Sequence, residues 1–377
     1  MSTIRQLPFE TISAIVNHID NPHDLYQCTL TNTAFYKVTN PKLWHDPTKV
    51  KKLSYYDFVH ILVNDRQKKH NLRSLPLGHY IRRLDLTMVF GDSKMKAAIV
   101  LLFAYTPLLE IVTIASIRPI DASDRLPPDP MRTIDEMSGR SFYLVPEFLP
   151  ILCPRLREIA VTGFNDDFLK NLGNCRQLRT LDLDDLFFDN SYDGLASLRN
   201  CPLNSFFMNS NMWKASNNIR DLQQLTRLST LDITTMDEET DELVEQLLFT
   251  SPQPSNDIAF PRLETLRIFC QFGQGMSTHA LVHILTTYSK LQELYTKVFN
   301  LSIIQGHVLP HLRSLTLIDE GLTSKEVIHS WIKACPGLID FSYKSDRDSD
   351  DDDENLYHDT SDMHRIRSVG LLEARRF

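Results

Sequence analysis

Apolar residues recur along most of this chain in one arrangement, L-x-x-L-x-L, with Ile, Val, Phe and related residues admitted at the apolar positions. Copies begin at Ile81, Leu109, Leu156, Leu178, Leu203, Leu228, Leu263, Leu291, Leu312 and Leu338. The clearest are LRTLDL from Leu178, LSTLDI from Leu228, LETLRI from Leu263 and LRSLTL from Leu312. Successive copies lie 21 to 35 residues apart, except for one interval of 47 between Leu109 and Leu156. Within each copy the final residues alternate apolar and polar, the signature of a strand with one buried face. Apolar residues at helical spacing fill the intervals, predicting helices over 166–172, 219–225, 241–249, 279–288 and 325–334. Several of these end on cysteine and proline, as in Cys153-Pro154, Cys201-Pro202 and Cys335-Pro336, with Cys175 at the matching place in another copy. Proline there stops the helix and directs the chain toward the next strand. A unit of this length cannot bury its own apolar face, so stacking of neighbours into one continuous core is the expected outcome.

The first fifty residues have a different rhythm. Ile12, Ile15 and Ile19 recur every three to four residues behind Pro8, which suits the first turn of a helix because its missing N–H would be unpaired there anyway. Asn21-Pro22 ends that helix, Asp24 is placed to cap the next, and the stretch closes on Pro41-Lys42-Leu43-Trp44. About forty residues of helix bury little apolar surface by themselves, so part of this set needs cover from a partner or from the following segment.

Two resemblances follow from these residues. Residues 7–44 resemble an F-box through Leu7-Pro8 with Glu10, the series Ile12, Ile15 and Ile19, Asp24-Leu25, Phe35-Tyr36 and the terminal Leu43-Trp44; Thr29, Thr31 and Asn32 depart from that pattern. The repeats resemble the cysteine-containing class of leucine-rich repeats, although the asparagine common after the strand is mostly replaced, with Asn209 and Asn211 the nearest candidates. Together they imply an α/β leucine-rich-repeat solenoid, horseshoe-like, behind a small all-helical F-box domain. The expected organisation is that domain over 1–47, a helical linker and N-terminal cap over 48–80, repeats over 81–345 and a tail over 346–377. Insertions are expected at 116–150 and 251–257, both rich in proline.

Charge and chemistry refine this picture by exclusion. Residues 346–362 hold nine acidic side chains and Arg347, so this short stretch carries as much formal charge, −8, as the whole chain. Such a run is expected to be a solvated tail. No Walker loop, G-x-G-x-x-G, H-E-x-x-H or G-x-S-x-G occurs, and the thirteen histidines are scattered without metal-ligand spacing. The six cysteines lie far apart, as buried reduced thiols would. The expectation is a non-catalytic protein with no cofactor or metal and no nucleic-acid or membrane partner, cytoplasmic or nuclear.

The F-box resemblance implies a substrate-recognition subunit of an SCF-type cullin-RING ubiquitin ligase. In that reading Leu7, Pro8, Ile12, Ile15, Ile19, Leu25, Leu43 and Trp44 meet a Skp adaptor, and the repeats hold the target protein. Strand alternation turns Asp182, Asp184, Phe207, Asp232, Arg267 and Tyr295 to the solvent side, where a basic segment with an apolar anchor is expected to bind. The alternative is a leucine-rich-repeat interaction scaffold or inhibitor without a link to ubiquitination, its N-terminal helices serving only to cap the array.

Overall fold

The repeat fixes the architecture. In the computed structural model, each of the ten apolar copies becomes one strand that begins two residues after the first apolar position, from Arg83 behind Ile81 to Asp340 behind Leu338. The structure describes residues 7–49, 55–67, 75–89, 100–117, 147–184, 194–209, 212–235, 241–250, 258–270, 275–299, 301–304, 306–319 and 323–345. The acidic tail, the second expected insertion and most of the first lie outside these residues. Ile117 ends a strand and Leu149 begins a helix, so the first insertion is shorter than its expected bounds.

The chain divides into two units, residues 1–184 with 200–202, and residues 185–199 with 203–377. The first opens with three helices, α1 (Phe9–Asn17), α2 (Pro22–Thr29) and α3 (Thr33–Leu43), followed by α4 (Tyr55–Gln67). Strands β1 (Arg83–Val89), β2 (Ile111–Ile117), β3 (Glu158–Thr162) and β4 (Thr180–Asp184) then pair in parallel and in sequence order. Helices α5 (Leu149–Leu152) and α6 (Asp166–Asn171) belong to the connections. In register, Leu84, Val112, Ile159 and Leu181 form one buried row, and Leu86, Ile114, Val161 and Leu183 form the next. A parallel neighbour requires a crossover that carries the chain back to the same end of the sheet, and short helical turns serve that purpose in most of these connections.

The second unit repeats the plan with β5 (Ser205–Asn209), β6 (Thr230–Thr235), β7 (Thr265–Cys270), β8 (Met276–Ser277), β9 (Glu293–Phe299), β10 (Ser314–Asp319) and β11 (Asp340–Ser345). Its sheet order is β5-β6-β7-β9-β10-β11, with β8 attached to β9. Helices α7 (Ser216–Gln223), α8 (Asp241–Leu248), α9 (Thr278–Thr287) and α10 (Lys325–Ala334) fall within two or three residues of the expected spans.

Most of the strands are anchored the same way. The two N–H groups at its start donate to one carbonyl of the preceding repeat, as Glu110 and Ile111 do to Arg82, Arg179 and Thr180 to Arg157, and Gln292 and Glu293 to Glu264. Cysteine closes the preceding turn from inside. Cys153 Sγ donates to the Phe103 and Thr106 carbonyls, Cys175 to those of Pro150 and Cys153, and Cys201 to that of Leu172. Burial pushes the thiols of Cys153 and Cys175 up to about 12 and that of Cys201 to about 11.

Candidate interaction surfaces

The helices at the N-terminus owe their boundaries to side-chain caps. Asn21 Oδ1 accepts from the His23 N–H at the start of α2, a place the sequence pattern assigned to Asp24; Asp24 instead lies in the first turn, where its charge complements the helix dipole. Asn32 Oδ1 accepts from Ala34 and Phe35 at the start of α3, which accounts for a polar residue where the family pattern departs. Pro8 stands one position ahead of the helix it introduces, at the cap of α1. Lys42 reaches back across the module, donating to the carbonyls of Val16 and Asn17 at the end of α1 at 3.1 and 2.9 Å. A cation suits that end of a helix.

Folding divides the eight residues expected to face an adaptor. Ile12 and Leu25 form the module's own buried core with Val16, and Ile19, Phe35, Val38 and Leu43 pack half-buried around it. Ile12 and Leu25 therefore hold the module together and present no docking surface. Leu7 and Ile15 stay exposed, at 52% and 41%, and Pro8 is exposed beside them. The expected stripe of Ile12, Ile15 and Ile19 is thus rotated, because Val16, one turn after Ile12, takes the inward place instead of Ile15. Phe9, Tyr26 and Leu30 are also exposed large apolar side chains that the sequence pattern did not single out. The available signal was the spacing of Tyr26 on α2 and Leu30 at its C-cap, four apart and off the face that buries Leu25.

Trp44 points toward the array. Its ring stacks on Phe58 of α4 at 6.2 Å and 6°. Beside it, the His45 carbonyl accepts from both Arg82 and Arg83 N–H, the same pair of hydrogen bonds that most later strands make with the repeat before them. Arg83 pairs with Asp46 at 3.8 Å and the Asp85 N–H donates to Thr48 Oγ1 at 3.2 Å. The end of the module stands in for a missing repeat.

On the strands, alternation places the expected target-facing residues as follows. In the first unit Asp182 is exposed and Asp184 half-buried at the end of β4, with Asp85, Thr113 and Ala160 in register with Asp182. In the second unit Phe207, Asp232, Arg267 and Tyr295 stand in one register row across β5, β6, β7 and β9, each half-buried. Arg267 Nη1 lies 3.7 Å from Asp232 Oδ2, and the Phe269 ring meets the Tyr295 ring at 6.1 Å, tilted by 53°. Burial pushes the Asp232 carboxyl up to about 6 against the opposing pull of Arg267. The same alternation would turn Lys297 outward, yet it is 3% exposed. Strand β8 lies alongside here, since Met276 and Ser277 pair with Val298 and Phe299, and Gly275 closely approaches the Lys297 backbone. A Cβ at Gly275 would sit 2.5 Å from the Lys297 carbonyl, and its φ of +78° is also one that glycine tolerates best.

No protein-family model and no curated protein sequence matches this chain. Among solved structures, it is similar to the leucine-rich repeat-containing protein LegL7 from Legionella pneumophila, at 12% identity over 82% of each chain with a TM-score of 0.38. Internalin C2 from Listeria monocytogenes matches at 12% identity over 76% of this chain and 92% of its own, with a TM-score of 0.31. A leucine-rich-repeat protein from Leptospira interrogans matches at 11% identity, over 71% of this chain and 93% of its own, with a TM-score of 0.21.

Proposed function

We propose that this protein is a non-catalytic target receptor of an SCF-type cullin-RING ubiquitin ligase, in which α1–α3 dock on a Skp-type adaptor and the repeats hold the target. The observation that carries this reading is the division of the N-terminal module. One end is bonded to the array through His45, Asp46 and Thr48, its interior is closed by Ile12, Val16 and Leu25, and Leu7, Pro8, Phe9 and Ile15 are left in water. Exposed large apolar side chains at the free end of a fixed module fit a surface that a partner covers. The receptor itself does no covalent chemistry. It raises the local concentration of target lysines near a ubiquitin-charged conjugating enzyme, so its contribution is proximity and orientation.

A second reading has its own support. The His45 carbonyl takes the bonding role of a preceding repeat, which is what a simple end cap does, and the chain would then be an interaction scaffold without an adaptor. Replacing Leu7 and Pro8 together by Ala separates the two. Under the receptor reading the double variant loses co-purification with a Skp-type adaptor while its melting temperature stays within a degree or two, because both residues are exposed. Wild-type protein that captures no adaptor, or a variant that captures as much as wild type, leaves the scaffold reading.

A further inference from the structure

We propose that the solvent-facing row of the second unit recognises an extended segment of the target protein bearing a lysine or arginine next to an apolar residue, with the cation seated between Asp232 and Phe207. This rests on the reading of the repeats as target-holding, and it assigns them a ligand chemistry and an anchoring residue.

Asp232 is the key to the choice of ligand. Its side chain is only 22% exposed, yet its one ionic partner, Arg267, lies at 3.7 Å, beyond hydrogen-bond distance. Among the described residues no hydrogen bond reaches the carboxylate. A carboxylate has room for about four hydrogen bonds, so this one is partly withdrawn from water without gaining protein donors. Its acidity reports the same shortage: burial outweighs the help of Arg267. Another anion at this place would deepen the shortage, whereas a cation would relieve it. On the flank away from Arg267 the residue in register on β5 is Phe207, half-buried and aromatic, the kind of side chain on which a lysine or guanidinium group packs. Strand spacing of about 5 Å brings a single cation within reach of both. On the far side of Arg267 the tilted rings of Tyr295 and Phe269 supply the apolar contact. Rings and arginine are the side chains that most often dominate binding at protein interfaces. The row crosses four strands, a span of about 15 Å, which an extended segment of about five residues covers.

The test uses the full-length protein and synthetic ten-residue peptides whose central residue is Arg, Lys, Ala or Glu, with Leu or Phe placed two to four residues away. Fluorescence anisotropy is expected to show binding by the Arg and Lys peptides and none by the Ala and Glu peptides. Asp232→Asn keeps the shape of the side chain and removes its charge, and is expected to weaken the Arg peptide by about tenfold or more. Phe207→Leu is expected to weaken it by several-fold, and Asp340→Asn, on the same sheet but another row, to leave it unchanged. Equal binding by Glu and Arg peptides, or by Asp232→Asn and wild type, overturns the proposal, as does the absence of any binding. Adaptor capture is measured on the same samples. Loss of peptide binding with intact adaptor capture removes only this site, and peptide binding without adaptor capture removes only the receptor reading.

Discussion

Asp232 shows how far one residue's behaviour is set by its neighbours. A carboxylate on a strand would ordinarily titrate near 3.8, and here burial carries it to about 6. The folded state therefore binds this proton more tightly than the unfolded chain does. It follows that the group's contribution to stability falls as pH rises from about 4 to about 6, and the whole cost is present above both values. That cost is on the order of 2 kcal/mol once the remaining exposure is discounted. Asp232→Asn is accordingly expected to raise the melting temperature by several degrees at pH 7.5 and by almost nothing at pH 4. Calorimetry at the two pH values checks it, and an equal gain at both would show that the carboxylate is not strained by burial.

At the scale of the element, the cysteine turn closes three successive connections of the array from inside. Each S–H of Cys153, Cys175 and Cys201 donates inward to carbonyls freed where a helix stops, while proline or a short turn sends the chain on. Burial keeps all three protonated far above neutral pH, and thiolate is the reactive form. Cys28 on α2 is only partly buried. With a disulfide exchange reagent at pH 8, Cys28 is expected to react first, and the three turn cysteines to follow only at the rate of local unfolding. If Cys153 or Cys175 reacts in native protein as fast as Cys28, these turns open far more readily than their packing implies. Helix starts are handled separately by side-chain caps, Asn165 for α6, Ser277 for α9 and Ser324 for α10.

At the scale of the molecule, the first unit joins a helical module to a strand array through one carbonyl and a few side chains. Deleting residues 1–49 removes the His45 acceptor, the Trp44 ring that lies on Phe58 and the Asp46 partner of Arg83. Hydrogen exchange of the truncated protein is then expected to show faster exchange at Arg82 and Arg83 and along β1, with protection of β6 and β7 unchanged. Unaltered exchange in β1 would mean that the module hangs from the array without supporting it.

The sequence by itself determined where the strands begin, because the apolar spacing that makes a buried face also sets the register of each strand against the last. It determined the four long helices of the second unit for the same reason, each carrying one apolar stripe. The placement of Asp182, Phe207, Asp232, Arg267 and Tyr295 on the solvent-facing side of their strands was legible from alternation alone. Tertiary structure decided the rest. Which isoleucine of α1 turns inward depended on Val16 meeting Leu25 on another helix, and no spacing within α1 encodes that contact. Lys297 is buried against its alternation, and beside it runs β8, a two-residue strand too short to carry a pattern, whose preceding glycine allows a close approach to the Lys297 backbone. The weakened acidity of Asp232 came from burial, with Arg267, 35 residues away in sequence and one strand over in the sheet, pulling against it. Periodicity is a property of consecutive residues, whereas burial and charge are properties of whatever the fold brings alongside.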